Sequence, residues 1–185
     1  MTATHLTAPT RFIEVDGDRF AYRRWGKPSG VPLGTGLRGG DPMIDPRVLE
    51  VAPTPVPTAE DFLFLFFGRS DAAKQAGLAF WKRRHQRVDQ DPPSSAAVAE
   101  AQAEAYAAYL VPLPGQNPYA YLGAITQPTL VLNGVNDIMI ASINSWHLAQ
   151  NIPNAQLLIY PAAGHGAQFQ YPERFLKHAI QFLEE

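Results

Sequence analysis

The last third of the chain carries the pattern that decides the fold. Residues 128–137 read PTLVLNGVND, a short apolar run that ends in a glycine-containing turn, and residues 155–166 read AQLLIYPAAGHG, a second run of the same kind. Helical patterns follow each run, over about 142–150 and from Pro172 onward. Strand, helix, strand, helix is typical of parallel βαβ pairing, so we expect a parallel sheet here. The apolar spacing of the last helix predicts a buried face of Phe175, Leu176, Ala179, Phe182 and Leu183.

Composition and charge exclude several classes of protein. The chain has 185 residues, a formal charge of −2 and no cysteine, which suits one ordinary domain and excludes a disulfide scaffold, a thiolate metal site and a cysteine nucleophile. The near-neutral charge gives no electrostatic reason to expect nucleic acid. The longest apolar run, residues 62–67, is far short of the ~20 residues that a membrane span needs. With no basic-then-apolar signal pattern at the start, we expect a cytoplasmic protein without a membrane partner.

The first two thirds of the chain are less regular. Residues 11–25 alternate apolar and polar side chains around Asp16-Gly17, which predicts a β-hairpin. Residues 26–40 are rich in glycine and proline and leave room for only a strand stub at 31–33. Prolines interrupt a helical stretch from 41 to 118, where the clearest helices are predicted over about 71–87 and 94–110. The run at 62–67 is either a buried strand or part of a lid helix, since periodicity alone does not decide.

Two residues lie at positions where a parallel sheet usually carries catalytic side chains. Asp137 and His165 each follow a predicted strand, in a glycine-containing turn, and the carboxyl ends of parallel strands open toward the crevice of such a sheet. Each residue alone has a structural explanation, Asp137 as a turn or helix cap and His165 as a loop histidine. On adjacent loops, together, they favour a carboxylate that orients an imidazole for catalysis. The other histidines lack ligand spacing and no phosphate-binding glycine loop follows a strand, so we expect neither metal nor cofactor.

These stretches carry a family resemblance. The segments PTLVLNGVNDIMI, LLIYPAAGHGAQF and YPERF, together with the N-terminal RFIEVDGDRFAYRRWG, resemble the α/β-hydrolase fold family, in its haloperoxidase, esterase and epoxide-hydrolase-like branch. The resemblance implies that Asp137 is the acid and His165 the base of a catalytic triad. It also implies that residues 1–40 and 119–185 form the hydrolase core, that 41–118 form a helical lid or cap, and that the substrate is a small-molecule ester or a compound with a related bond.

The same resemblance exposes a gap. Neither the oxyanion-hole loop after strand three nor the Gly-x-Ser-x-Gly nucleophile elbow after strand five is found in the sequence. Leu33 resembles the start of strand three and Gly34 the exit from strand six, so three βα units, roughly 90 residues, are missing between them. The expected fold class is therefore α/β, a truncated α/β-hydrolase fold with a mostly parallel sheet, an N-terminal β-hairpin and a helical lid.

Ser70 is the one weak substitute for the missing nucleophile. It alone among the serines has small residues two positions to either side, in Gly68-Arg-Ser70-Asp-Ala72, after a strand-like run and before a helical pattern. Its place in the chain assigns it to the lid, and Ala72 stands where the elbow has glycine.

Three functions remain open on the sequence. The first is ester hydrolysis by a Ser-His-Asp-type mechanism, with activity in doubt because the nucleophile segment is missing and Asp137 and His165 are the remnant of a triad. The second is a catalytically inactive interaction module, and the third a deletion product without function. Loss of central strands leaves unpaired apolar edges. We therefore expect either a smaller sheet that rejoins the hairpin to the C-terminal strands, or self-association through exposed sheet edges.

Overall fold

The computed structural model describes residues 9–15, 18–22, 37–40, 45–54, 56–86 and 95–184. A β-hairpin belongs to one structural unit, and the helices with the two remaining strands belong to a second unit. The elements in chain order are β1 (Arg11–Val15), β2 (Asp18–Tyr22), α1 (Arg47–Val51), α2 (Ala59–Phe66), α3 (Asp71–Arg84), α4 (Ala96–Leu110), a 3-10 helix (Ala120–Ala124), β3 (Thr129–Gly134), α5 (Ser142–Asn151), β4 (Ala155–Tyr160), α6 (Ala167–Gln170) and α7 (Pro172–Glu184).

The predicted hairpin is confirmed. β1 and β2 pair antiparallel, with Arg11 opposite Tyr22 and Val15 opposite Asp18. The turn at Asp16-Gly17 lies outside the described residues, and so do the strand stub at 31–33 and the Leu33–Gly34 junction.

The predicted parallel pair is also confirmed. β3 and β4 run side by side from the Thr129–Ala155 pair to the Gly134–Tyr160 pair, and α5 forms the crossover between them. Within the described ranges the strands make two separate two-stranded sheets. The strands that the structure describes thus give no sheet that contains both the hairpin and the C-terminal strands.

Residues 62–66 of the apolar run at 62–67 belong to a helix and Phe67 follows as its C-cap, so the strand alternative is wrong. α2 begins at a capping box in which the Thr58 hydroxyl accepts from the Asp61 amide at 3.1 Å and the Asp61 carboxylate accepts from the Thr58 amide at 2.9 Å. Such a reciprocal cap satisfies two amides that the first turn of a helix leaves free. α3 and α4 start at simpler caps, in which the hydroxyl of Ser70 or Ser95 accepts from the amide three residues further on, without a reciprocal bond.

The core of the second unit consists of several small clusters of apolar side chains. Leu37, Leu122 and Ile152 are buried together, and Tyr160, Ala163 and Ala167 form a second cluster behind β4. A third is aromatic. Phe62 stacks on Phe66 at 4.5 Å and on Phe80 at 5.7 Å between ring centroids, and it also contacts Phe67 and Trp81.

The buried face predicted for the last helix is only partly correct. Phe175, Ala179 and Phe182 are half-buried, but Leu176 is 54% exposed and Leu183 60% exposed. α7 contacts α6 and, through His178, the end of β4. A sheet of two strands is too narrow to cover both the half-buried row of apolar side chains on this helix and the row that contains Leu176 and Leu183. In the described ranges, no helix has the length and apolar character to cross a membrane.

Candidate active site

Asp137 is fixed by the turn that follows β3. One carboxylate oxygen, Oδ1, accepts hydrogen bonds from the amides of Met139 at 2.8 Å and Ile140 at 3.0 Å. The Asp137 amide donates to the carbonyl of Gly134 at 3.2 Å. The residue is 1% exposed, so these bonds compensate a carboxylate that is otherwise removed from water. The second oxygen, Oδ2, is left free to orient another group.

That second group is His165, as the sequence predicts. Its Nδ1 lies 2.9 Å from Asp137 Oδ2, and its side chain is 21% exposed. Because an ionised carboxylate only accepts, Nδ1 carries the hydrogen and Nε2 presents its lone pair. Among the described residues, the bond to Asp137 is the only hydrogen bond of the His165 ring. The pair is therefore a buried carboxylate that orients an imidazole, whose second nitrogen has no hydrogen-bond partner in the described part of the chain.

The two loops approach closely because of a glycine at the end of β3. A Cβ atom on Gly134 would collide with the carbonyl oxygens of Ala163 and Gly164. The amides of Val135 and Asn136 donate hydrogen bonds to the neighbouring segment, to the carbonyl oxygens of Tyr160 at 3.0 Å and Ala163 at 2.9 Å. The Gly134 turn and the loop before His165 are thus held together by backbone hydrogen bonds, which set the distance between acid and base.

α2 supplies the wall behind the imidazole. The carbonyl of Phe66 accepts from the Gly166 amide at 2.6 Å, and the Phe66 ring meets the His165 ring edge-on at 5.4 Å. Gln170 ties the same region together, since it accepts from the Gly68 amide at 3.2 Å and donates to the Ala162 carbonyl at 2.9 Å. The contacts of Phe66 and Gly68 join residues about 100 positions apart, and no local pattern in the sequence signals them.

Ala162 marks the sharp bend of the base-bearing loop. Its φ of 54° lies in the left-handed region, the only such value for a non-glycine residue in the described part of the chain. An alanine there costs about 1–2 kcal/mol relative to ordinary backbone. The bend is maintained by the bond from Gln170, and such strain is typical of loops that carry functional residues.

Ser70 lies at the first turn of α3 and caps it. Its hydroxyl oxygen accepts from the Ala73 amide at 3.2 Å, and no hydrogen bond joins it to the His165 ring. In the described ranges no group of three His, Asp or Glu side chains is arranged to hold a metal ion.

Tyr160 borders the site at the end of β4. Its hydroxyl lies 2.8 Å from His178 Nδ1 on α7, and burial raises the pKa of the phenol while Arg174 opposes the rise. The neutral phenol is thus the form that makes this contact at ordinary pH, and it anchors α7 to the strand that carries the His165 loop.

A family model for the alpha/beta hydrolase fold matches residues 57–172, which include both Asp137 and His165. The chain belongs to the α/β-hydrolase fold family. Among solved structures, this α/β-hydrolase resembles an alpha/beta hydrolase fold protein from Chitinophaga pinensis, with a TM-score of 0.76 and 24% identity over 99% of this chain and 100% of that one. That likeness concerns the fold.

Curated relatives match a shorter stretch of this α/β-hydrolase. The chain is 42% identical over 62 residues to a 2-hydroxymuconate semialdehyde hydrolase from Pseudomonas putida. It is 32% identical over 57 residues to a pimeloyl-[acyl-carrier protein] methyl ester esterase from Nitrosomonas europaea. These alignments take in 34% and 31% of this chain but only 22% and 23% of the two relatives, so the chain spans less than a quarter of either.

Proposed function

We propose that the chain is an α/β-hydrolase directed at a small-molecule ester or related bond, with Asp137 and His165 as its acid–base pair. The observation that carries the proposal is the 2.9 Å bond between the buried Asp137 carboxylate and His165, whose second ring nitrogen has no hydrogen-bond partner among the described residues. The names of the two relatives, a semialdehyde hydrolase and a methyl ester esterase, support hydrolysis of a small molecule or of a small acyl group.

The geometry supports general base catalysis at Nε2. Asp137 holds the imidazole with Nδ1 protonated, so Nε2 accepts a proton from water as the oxygen attacks the ester carbonyl. The carbonyl bond opens to a tetrahedral oxyanion, and Asp137 stabilises the imidazolium that has formed. When the oxyanion collapses, the C–O bond to the leaving group breaks and Nε2–H returns the proton to the departing alkoxide. A carboxylic acid, an alcohol and the neutral imidazole are left.

The nucleophile elbow is missing from this scheme, and we propose that the chain has lost it between Leu33 and Gly34. The absence of Gly-x-Ser-x-Gly from the sequence supports this, as does the role of Ser70 as a helix cap. Loss of one member of a triad costs several orders of magnitude in rate. We therefore expect slow hydrolysis that is confined to activated esters.

The first test uses p-nitrophenyl acetate with the wild type and His165→Ala. We expect the substitution to reduce hydrolysis to the rate of the protein's remaining imidazoles. His85→Ala is the matched control, because His85 is an exposed imidazole at the end of α3 whose only side-chain hydrogen bond to a described residue is to the carbonyl of Trp81 in the same helix. Ser70→Asn is a second control, since asparagine preserves the helix cap and removes the hydroxyl. Equal rates in the wild type and His165→Ala contradict the enzyme, and a loss specific to Ser70→Asn shows that Ser70 is the nucleophile.

A second function, an inactive module that binds a copy of itself, is favoured by one observation. Three apolar side chains of α7, at i, i+4 and i+7, face solvent: Leu176, Ile180 and Leu183, each more than half exposed. A contiguous apolar row on a surface helix is typical of a contact site. Equal traces of ester hydrolysis in the wild type and His165→Ala, together with concentration-dependent association, identify this function instead.

A further inference from the structure

The segment that follows α2 and the loop that carries His165 lie in direct backbone contact. A Cβ atom on Gly68 would collide with the carbonyl oxygen of Ala162. A Cβ atom on Gly166 would lie 2.9 Å from the carbonyl oxygen of Phe66, which is closer than a side-chain carbon tolerates. The contact between the two segments therefore requires glycine at both places, and the position of the imidazole depends on this contact.

One side chain bonds to both segments. Gln170 on α6 accepts a hydrogen bond from the Gly68 amide at 3.2 Å through Oε1, and it donates one to the Ala162 carbonyl at 2.9 Å through Nε2. Gln170 is 7% exposed and Gly68 is also buried, so water does not readily replace the bond between them. The carboxamide thus supplies one acceptor and one donor from the same buried side chain.

The same side chain closes the loop of the base. Ala162 lies three residues before His165 and Gln170 lies five residues after it, so the bond between them spans the base. Ala162 also has the left-handed φ of 54°, which alanine disfavours and which neighbouring contacts must therefore hold. A loop without this bond has less to keep the imidazole at its 2.9 Å distance from Asp137.

We propose that Gln170 is a positioning residue for His165, which holds the base loop closed and against the end of α2 so that Nδ1 stays within hydrogen-bond distance of Asp137. The carboxamide acts through the loop and does not touch the reacting atoms. Its effect on rate rests on the proposed hydrolysis, whereas its effect on the imidazole is measurable without a substrate.

Gln170→Met tests the role with little change of shape. Methionine offers no donor to Ala162 and only a weak acceptor to the Gly68 amide. Nitrogen-15 NMR of the full chain is expected to show the Nδ1–H tautomer of His165 in the wild type and a mixture of the two tautomers in the variant. Hydrogen exchange of the Gly166 amide is expected to become at least tenfold faster.

Gln168→Met is the matched control. It makes the same substitution two residues earlier on α6, and Gln168 is half-buried without a hydrogen bond to Gly68 or Ala162. It is expected to keep the wild-type tautomer and exchange rate. Gln170→Asn retains the carboxamide but is one methylene too short to reach both segments, so it is expected to act as Gln170→Met does, and the test does not depend on the folding of one variant.

Circular dichroism identifies the variants that fold. A folded Gln170→Met or Gln170→Asn with the wild-type ring-nitrogen shifts refutes the positioning role. An equal change in Gln168→Met also refutes it, because the effect then belongs to the helix and not to the two bonds.

Hydrolysis of p-nitrophenyl acetate separates this role from the proposed function. Gln170→Met is expected to lower kcat about tenfold and to leave KM within about twofold, because a misplaced base weakens the transition state and not the binding of substrate. A wild type without hydrolysis that depends on His165 contradicts the proposed function, and the NMR comparison still decides the role of Gln170. Hydrolysis that depends on His165 but is not slowed in Gln170→Met contradicts the positioning role alone.

Discussion

At the scale of single residues, the two carboxylate oxygens of Asp137 have different hydrogen-bond partners. Oδ1 is held by two backbone amides of its own turn, and Oδ2 alone meets His165. The position of this side chain therefore does not depend on its charge, because the two amides hold Oδ1 whether or not the group is ionised. An amide in its place keeps the Oδ1 contacts and reverses the hydrogen bond to the imidazole.

Asp137→Asn is accordingly expected to preserve the fold and abolish ester hydrolysis. The asparagine Nδ2 donates to His165 Nδ1, which drives the ring hydrogen to Nε2 and removes the lone pair that accepts the proton. The rate is expected to fall at least tenfold, to the level of His165→Ala. Nitrogen-15 NMR of the histidine ring reads the tautomer directly.

Unchanged ring-nitrogen shifts in Asp137→Asn count against this role of Asp137. A substitution in the same turn that leaves the carboxylate in place, Met139→Leu, is the control and retains both the tautomer and the hydrolysis.

At the scale of elements, α2 borders the candidate active site. Leu63 and Phe64 line a cavity that Asp137 also lines, and Phe66 at the end of the helix contacts the His165 loop through both its carbonyl and its ring. The start of the helix is fixed by the capping box of Thr58 and Asp61, so this cap stabilises an element on which the site depends. Thr58→Ala is expected to lower the free energy of unfolding by about 1 kcal/mol.

The same cap predicts a dependence of stability on pH. Hydrogen bonds from the Thr58 amide and then from its hydroxyl hold the pKa of Asp61 below its usual value. A carboxylate with a lower pKa in the folded state stabilises the fold above its unfolded pKa, and this stabilisation is lost as the pH falls through the folded pKa. Thermal melts of the wild type and Asp61→Asn are expected to differ at neutral pH and to converge in acid.

Glu60→Gln is the control for that experiment, because Glu60 lies in the same first turn and accepts no hydrogen bond from Thr58. A gap between wild type and Asp61→Asn that stays constant from neutral to acid pH contradicts the proposed effect of the cap.

The sequence predicts those elements whose signals are local. β3, β4, Asp137 and His165 follow from an apolar run, a glycine turn and a polar residue within a dozen positions, and their pairing is confirmed. The run at 62–67 is ambiguous by periodicity, and the cap at Thr58, four residues upstream, decides it for a helix. The bond from Gly166 to the Phe66 carbonyl joins distant segments, so only the folded chain reveals it.

At the scale of the whole molecule, apolar surface is left uncovered. Among the described residues β3 pairs on one side only, with β4, and α7 exposes its row of Leu176, Ile180 and Leu183. Periodicity predicts that a face of α7 is apolar but not what covers it, which is why burial of Leu176 and Leu183 is predicted wrongly. Unpaired strand edges and apolar rows both promote association between chains.

The chain is therefore expected to self-associate in a concentration-dependent way. Sedimentation velocity is expected to show a shift to faster species with rising concentration, together with binding of a hydrophobic dye. Replacement of Leu176, Ile180 and Leu183 by glutamine, which preserves helix propensity, is expected to weaken association at least tenfold.

The control for association is Val98→Gln with Val111→Gln, which removes exposed apolar side chains in and just after α4 instead. A wild type that sediments as a single monomer at all concentrations and binds no dye refutes self-association. Equal weakening by the control shows that α7 is not the contact.

The local hydrogen bonds that hold Asp137 also affect how family membership is inferred from sequence. Amides two and three positions along the chain hold the carboxylate, so this part of its environment is encoded by a few neighbouring codons. A chain that retains this turn is recognisable as a member of the family, whether or not it still hydrolyses a substrate. Genome surveys that score this C-terminal signature will thus count inactive descendants among working enzymes. Reaction with a fluorophosphonate, which marks an activated serine, separates the two groups.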